Sequence, residues 1–245
     1  MAERLYLGRH GQSEGNVIEE VCRSKDLETK KYQDIDWDAD DWPLTNMGHE
    51  QSRLTGDFLL AQGLSDNNCD IWTSPMRRAQ QTARHFGFTA AAQIVLPLYE
   101  RKTVNISYMD IRQAIRDAPS DRTAREIAMR GTFGGRVEPF EAMMERIAPV
   151  AERAMALETE NLVVVSHGHV MMGLRTLIED MNEDQITDIL RGDTSMSAIK
   201  KRPTRNGDVI VYSRDVFTGQ YGTRQHFGPS DNYAGDIVQL TEVQR

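Results

Sequence analysis

Apolar residues follow two different spacings along this chain. Short apolar runs bounded by turn residues alternate with longer segments in which apolar residues recur every three or four positions. The runs are typical of buried strands, and the longer spacing is typical of helices with one apolar stripe. The predicted strands are Arg4–Arg9, Asp70–Thr73, Gln93–Leu98, Asn161–Ser166, Asp208–Ser213 and Asp236–Thr241. The predicted long helices are Asn46–Gln62, Pro75–Phe86, Pro139–Glu158 and His169–Asp180.

Strands that alternate with helices are typical of βα units on a parallel sheet. The pattern therefore predicts an α/β fold with a mostly parallel central sheet. Residues 100–138 contain Pro119 and several glycines, which indicates shorter helices joined by turns. The 245 residues contain no internal repeat and no linker, so we expect a single domain over residues 1–245.

Composition narrows the class of protein. Apolar residues make up 39% of the chain and charged residues 27%, which is typical of a soluble globular protein. The formal net charge of −8 argues against nucleic acid or membrane as a partner, because such binding needs broad cationic patches. The first residues do not read as a signal peptide, and no run of about eighteen apolar residues is present, so we expect a cytoplasmic protein. Cys22 and Cys69 lack the spacing of a zinc or redox site and are interpreted as reduced thiols.

A His-Gly pair stands at the end of the first predicted strand and again at the end of the fourth, as His10-Gly11 and His167-Gly168. Ligands of parallel sheets bind at the carboxyl ends of the strands, so two imidazoles can face one anion there. Glycine also lets backbone N–H groups approach an anion closely. Additional donors near these strand ends are Arg9, Ser13, Asn16 and Arg78. Guanidinium and amide groups match phosphate oxygens, and the set therefore indicates a phosphate site.

The same residues form motifs. Arg9–Asn16 reads R-H-G-Q-S-E-G-N and resembles R-H-G-x-S-x-x-N, the signature of the histidine phosphatase superfamily, also called the phosphoglycerate mutase-like family. Pro43–Gly48, Ser74–Ala83 and Val165–Gly168 are similar to further motifs of that family and occur in its order. The resemblance implies a three-layer α/β/α sandwich.

The resemblance also implies roles for individual side chains. His10 is expected to attack phosphorus in line and to carry the phosphoryl group as a phosphohistidine. Arg9, Arg78 and His167 are expected to bind the equatorial oxygens, with help from Asn16. Phosphoryl transfer depends mainly on positioning and on charge neutralisation, which suits this set of donors. The remaining expected substrate contacts are Gly11, Ser13 and Gly168.

A phosphatase also needs an acid that protonates the leaving group and later a base that activates water. Glu100 is the candidate, because it is similar to the acidic position after the third strand of the family; an acidic residue of the 34–41 run is the alternative. Arg77 is expected to face solvent, since neighbours on a helix point about 100° apart. His169 is expected to contribute its backbone N–H, with its side chain directed elsewhere.

The segment 18–42 is longer and more acidic than a connection requires and is interpreted as a lid. Its run Asp34-x-Asp36-x-Asp38 is not read as a calcium loop, because Ala39 and Thr45 stand where such a loop needs glycine and glutamate. We therefore expect no metal and no cofactor.

The function that these observations favour is a phosphatase acting on small phosphorylated substrates, of the kind described as a histidine acid phosphatase-like phosphoric monoester hydrolase. A phosphoglycerate mutase is the first alternative, but the N-x-x-x-R-F-x-G-W continuation of the mutases is absent, since Val17–Arg23 follows Asn16. The second alternative is a non-catalytic module that binds phosphoproteins through the same pocket.

Overall fold

A computed structural model of the chain describes residues 2–24, 42–103, 108–131, 133–191, 205–215, 218, 220–229 and 236–239. The strands are β1 Arg4–Arg9, β2 Cys69–Thr73, β3 Gln93–Ile94, β4 Asn161–Ser166, β5 Val209–Arg214, β6 Tyr221–Phe227 and β7 Asp236–Gln239. The helices are α1 Glu14–Ser24, α2 Asn46–Ala61, α3 Arg77–Arg84, α4 Tyr108–Arg116, α5 Asp121–Arg130, α6 Phe140–Ala156, α7 Gly168–Glu179 and α8 Glu183–Arg191.

The strands form one sheet in the order β3-β2-β4-β1-β5-β6-β7. The pairs within β3-β2-β4-β1 are parallel, whereas β5 pairs antiparallel with β1 and the two following pairs are also antiparallel. Strands β1 to β4 and β6 therefore run in one direction and β5 and β7 in the other. The predicted α/β fold with a mostly parallel sheet is confirmed, and an antiparallel extension follows β1.

Helices cover both faces of the sheet because the strands alternate their buried side chains. Leu5 and Leu7 of β1 pack into a core formed with α4 to α8, whereas Tyr6 between them packs into a second core formed with α2 and α3. Such alternation follows from the two-residue repeat of a strand. The predicted three-layer α/β/α sandwich is confirmed.

Several predicted boundaries are wrong, and three of them lie at prolines. The predicted strand Gln93–Leu98 ends as β3 at Ile94 and continues as a 3-10 turn at Leu96–Leu98, because Pro97 cannot donate to a strand ladder. The helices predicted to begin with Pro75 and Pro139 begin after these residues, at Arg77 and Phe140.

Helices α1 and α8 and strand β6 were not predicted. Helix α1 takes up the first part of the predicted lid at 18–42, and residues 25–41 lie outside the described residues. The lid and the single-domain boundary therefore remain predictions. None of the described helices is both long enough and apolar enough to cross a membrane.

Candidate active site

His10 follows β1 directly, at the carboxyl end of the parallel half of the sheet. Its side chain is buried, and its Nδ1 lies 2.6 Å from the carbonyl oxygen of Gly11. A carbonyl oxygen can only accept, so in this contact Nδ1 carries the proton and donates it. The lone pair of the imidazole is then on Nε2. The local backbone therefore favours the tautomer that a nucleophile requires.

His167 follows the neighbouring parallel strand β4, in which Ser166 pairs with Arg9. The centroids of the His10 and His167 rings are 5.1 Å apart, and the rings are tilted by 59°. His167 Nε2 lies 2.7 Å from the Oγ of Ser74, which follows β2. Within the described residues, His167 Nδ1 is buried and has no hydrogen-bond partner. Three strand ends thus meet at one place, as the parallel topology predicts.

Both histidines are held in the neutral form. Burial lowers the pKa of His10 well below its usual 6.5, and the positive charges of Arg78 and Arg9 lower it further. Burial and Arg78 have the same effect on the pKa of His167. A neutral His10 keeps the electron pair that attacks phosphorus, because protonation would remove it.

The two predicted arginines reach this place from different elements. Arg78 lies in the first turn of α3 and is nearly buried, with Nη2 2.9 Å from the Sδ of Met76. Arg9 ends β1, and a Cβ placed on Gly168 would lie 3.6 Å from the Arg9 Cζ. The guanidinium of Arg9 therefore lies close to the N-terminus of α7. Arg77, next to Arg78, is exposed, as its helix position predicts.

Glu100 lies just after the 3-10 turn that follows β3. Its Oε1 accepts the backbone N–H of Arg101 at 2.8 Å, and its side chain is 24% exposed. Burial raises the pKa of the Glu100 carboxyl above its usual 4.5, although the Arg101 N–H and the charges of Arg78 and Arg9 oppose this rise. A raised pKa favours the protonated form that a general acid needs.

The prediction for the His169 side chain is wrong. The ring is buried, and its Nδ1 lies 3.8 Å from the Oε1 of Glu100. Helix α7 begins one residue earlier than predicted, at Gly168, which places His169 in its first turn beside the Glu100 loop. The His169 imidazole therefore lies next to the candidate acid.

Arg146 of α6 holds the Glu100 loop, and no sequence motif indicated it. It donates to the carbonyl oxygens of Pro97 and Glu100, the second at 3.3 Å. It also binds both carboxylate oxygens of Glu138, at 2.8 and 3.0 Å, and its guanidinium lies 3.7 Å from the centroid of the Tyr99 ring. These contacts fix the backbone that carries the acid.

The prediction that Gly11 offers its N–H to an anion is not supported. That N–H donates to the Oγ1 of Thr82 in α3 at 3.0 Å. Glycine is required at this position for another reason, because a Cβ would lie 2.2 Å from the carbonyl oxygen of Gly48 in α2. The nucleophile loop is therefore packed tightly between α2 and α3.

Ser13 and Asn16 form a turn at the start of α1. The Oδ1 of Asn16 accepts the N–H of Ser13 at 3.0 Å and its hydroxyl at 3.1 Å. It also accepts from the Nδ2 of Asn206, at 3.0 Å, a residue in the turn before β5 that the sequence analysis did not identify. Ser13 thus orients Asn16.

No cluster of three or more His, Cys, Asp or Glu side chains suited to a metal ion occurs in the described part of the chain. The Asp34–Asp38 run lies outside it. A surface cavity of about 410 Å³ is located near α5 and is lined by arginines that pair with acids, such as Arg130 with Glu141 at 3.7 Å. Because the arginines that line this cavity are paired with acidic residues, they do not offer an unpaired positive charge to an anionic ligand.

The chain was compared with families and proteins already known. The profile of the histidine phosphatase superfamily (branch 1) matches residues 5–211. Histidine acid phosphatases are a different family, so that label of the predicted activity is wrong.

Among curated proteins, the chain is 27% identical over 236 residues to a 2,3-bisphosphoglycerate-dependent phosphoglycerate mutase of Bartonella quintana, covering 89% of this chain and all of that one. It is 26% identical over 223 residues to a 6-phosphofructo-2-kinase/fructose-2,6-bisphosphatase of Caenorhabditis elegans, covering 89% of this chain. The chain spans 43% of the length of that relative and 34% of the human one.

Solved structures show the same fold. A mycobacterial glucosyl-3-phosphoglycerate phosphatase in complex with VO3 aligns with a TM-score of 0.60 at 21% identity, over 86% of this chain and 93% of that one. The protein of the Mycobacterium tuberculosis open reading frame Rv3214 aligns with a TM-score of 0.62 at 17% identity, over 89% and 94%.

Proposed function

The chain belongs to the histidine phosphatase superfamily, and we propose that it is a phosphatase that hydrolyses small phosphomonoesters through a phosphohistidine on His10. The observation that carries this proposal is the state of His10: buried, neutral, protonated on Nδ1, and close to Arg9, Arg78 and His167. A nucleophile among preorganised donors is the arrangement that phosphoryl transfer needs.

In the first step, the lone pair of His10 Nε2 forms a bond to phosphorus while the bond from phosphorus to the ester oxygen breaks. Arg9, Arg78 and His167 stabilise the charge on the three equatorial oxygens, and each such donor contributes about 3–4 kcal/mol in a preorganised site. Glu100 gives its proton to the leaving alkoxide. The Nδ1–H of His10 remains bonded to the Gly11 carbonyl, which stabilises the ring as it becomes positively charged.

In the second step, a water molecule attacks the phosphohistidine. Glu100, now ionised, accepts a proton from this water as the oxygen bonds to phosphorus and the P–N bond breaks. Phosphate leaves, and both His10 and Glu100 return to their starting states. The two arginines supply the positive charge on which the transfer depends.

The direct test is the phosphoenzyme itself. After rapid quenching with a 32P-labelled substrate, we expect a label on the wild-type protein that is stable in alkali and labile in acid, as a phosphohistidine is. His10→Ala should carry no label and show no turnover while remaining folded. A label that persists in His10→Ala would overturn the assignment.

A mutase remains the second candidate, because the Bartonella quintana relative is similar along its whole length. A mutase must retain a released intermediate and exclude water while that intermediate reorients in the active site. This requires specific contacts to the intermediate and a closed site. The absence of the mutase continuation in Val17–Arg23 favours hydrolysis.

Two assays separate these activities. We expect phosphate to be released from some members of a phosphomonoester panel, in the presence of a chelator and without a bisphosphate primer. We expect negligible conversion of 3-phosphoglycerate to 2-phosphoglycerate with or without 2,3-bisphosphoglycerate. Primer-dependent isomerisation at about 10 per second or faster, a typical enzymatic turnover, would establish the mutase instead.

A further inference from the structure

The turn that precedes β5 lies against the backbone of the nucleophile. Gly207 N–H and Asn206 Nδ2 both donate to the carbonyl oxygen of His10, at 3.3 and 3.2 Å. Asn206 and His10 are 196 positions apart in the chain, and the antiparallel pairing of β5 with β1 brings them together. The turn therefore supports His10 from the antiparallel half of the sheet.

The turn is itself held in place. The Oδ2 of Asp208 accepts the N–H of Arg205 at 2.6 Å and lies 2.9 Å from the Nε2 of His226 in β6. Asp208 is fully buried, and its carbonyl oxygen accepts the N–H of Arg9 at 2.9 Å. The position of Asn206 is thus fixed from two sides.

The hydrogen bonds determine which way both amides face. Because a backbone N–H can only donate, the Asn16 atom that binds the Ser13 N–H must be Oδ1. Because the His10 carbonyl can only accept, the Asn206 atom that contacts it must be Nδ2, and the second hydrogen of this nitrogen goes to Asn16 Oδ1. Within the described residues, Asn16 Nδ2 forms no hydrogen bond.

We propose that Asn206 is a positioning residue that locks the Asn16 amide with its Nδ2 donor presented to the transferring phosphoryl group. This inference rests on the proposed phosphohistidine chemistry. An amide that could rotate would present its oxygen to the phosphoryl oxygens in part of the molecules, and two acceptors repel each other. Asn206 adds a second donor to the Oδ1 that the Ser13 N–H already binds, and together the two donors remove that alternative before the substrate binds.

The test is a double-mutant cycle on kcat with a phosphomonoester substrate. We expect Asn16→Ala to lower kcat about 100-fold, as the loss of one preorganised donor does. Asn206→Ala should lower kcat about tenfold with little change in KM, and the double variant should be no slower than Asn16→Ala. If the two losses multiply, Asn206 does not act through Asn16, and the inference is wrong.

The chain offers a matched control in a second Ser-x-x-Asn turn. Asn68 Oδ1 accepts the N–H of Ser65 at 2.8 Å and its hydroxyl at 3.2 Å, at a turn that leads into β2. Asn68→Ala removes the same kinds of hydrogen bond as Asn16→Ala and should lower the free energy of unfolding by a similar amount, yet kcat should not change. An equal loss of kcat in Asn68→Ala would show that the effect of Asn16→Ala is general destabilisation and would overturn the inference.

Asn206→Asp keeps the shape of the side chain and serves if the alanine variant does not fold. A carboxylate cannot donate to His10 or Asn16, so we expect kcat to fall at least as far as in Asn206→Ala. A wild-type kcat in Asn206→Asp would overturn the inference. Turnover by His10→Ala would instead overturn the proposed function, so the two failures are distinct.

Discussion

Two groups of charged side chains in this protein each contain two arginines, and they differ in where the anion that balances these arginines comes from. In the first group, Arg175 and Arg224 bind the carboxylate of Glu179, with Nε–Oε1 and Nη1–Oε2 distances of 3.1 and 2.9 Å, and Tyr212 donates to the same carboxylate. Although burial alone would raise the pKa of Glu179, Arg175 and Arg224 hold it below its usual 4.5. We call this group the internal cluster.

The second group is the active site, where Arg9 and Arg78 lie around two histidines whose pKa is lowered first by burial and then by the charges of these arginines. Burial raises the pKa of its carboxyl group, Glu100, which favours the protonated form. In the internal cluster, the anion that balances the arginines is the carboxylate of Glu179, which belongs to the protein. In the active site, the balancing anion has to come from a bound ligand. Clustered cations whose neighbouring titratable groups favour the neutral form are therefore expected at an anion-binding site.

The largest effect is expected in the internal cluster. Glu179→Gln should lower the free energy of unfolding by about 3–5 kcal/mol, because two buried guanidinium groups lose their counter-ion. The exposed Glu158→Gln is the control and should change stability by less than about 0.5 kcal/mol. Urea unfolding measures both. A stability loss below 1 kcal/mol in Glu179→Gln would remove the distinction between the two groups.

The active site should respond in rate rather than in stability. Arg78→Ala should lower kcat about 10²–10³-fold, because a donor to the transferring phosphoryl group is lost. Arg77→Ala, which changes the exposed neighbour, should leave kcat near the wild-type value. Steady-state kinetics with one phosphomonoester decide the matter. Equal losses would mean that Arg78 does not contact the phosphoryl group.

The role of Glu100 should depend on the leaving group. Glu100→Gln should slow the hydrolysis of alkyl phosphates about 100-fold, because an alkoxide needs a proton as it leaves. Aryl phosphates should lose much less, since a phenolate leaves without protonation. Parallel kcat/KM measurements on both substrate types test this, because kcat/KM reports formation of the phosphohistidine and not its hydrolysis, in which Glu100 is the proposed base. Were both to slow equally, an acidic residue of the 34–41 run would become the candidate acid.

The smallest effect concerns pH. His10 must be neutral to attack, and burial, together with the charges of Arg78 and Arg9, holds its pKa well below 6.5. On the acid side of the profile, kcat/KM should therefore decline only well below pH 6.5. Removal of a neighbouring cation raises the pKa, so the acid limb of Arg78→Ala should move to higher pH. The limb of Glu179→Gln should stay in place. A limb that Arg78→Ala leaves unchanged would contradict this electrostatic account.

The two groups also explain which parts of the fold could be predicted from the sequence. Strands β1 and β4 were predicted with their correct ends because both are continuous apolar runs. Strand β6 was missed because it buries Arg224 and His226, which read as surface residues in a sequence. Their partners, Glu179 and Asp208, lie in other elements, so no local pattern shows that these charges are satisfied.

The active-site residues divide in the same way. Side chains expected to touch the substrate stand in motifs at strand ends, and the structure brings His10, His167 and Arg78 together as those motifs predict. Supporting residues such as Arg146 and Asn206 have no motif. Arg146 contacts the carbonyl of Glu100 across 46 positions and Asn206 contacts that of His10 across 196, and only the folded chain makes these residues neighbours.

Strand β1 lies between the parallel and antiparallel halves of the sheet, and this has a consequence for cutting the chain. A polypeptide divided between Arg191 and Arg205 would place every side chain of the proposed chemistry on one piece. The turn that holds the carbonyl of His10, together with β5, would be on the other. Neither piece alone would contain both His10 and the turn that binds its carbonyl oxygen. Phosphate release would therefore report the reassociation of the two fragments, as in a split-enzyme reporter.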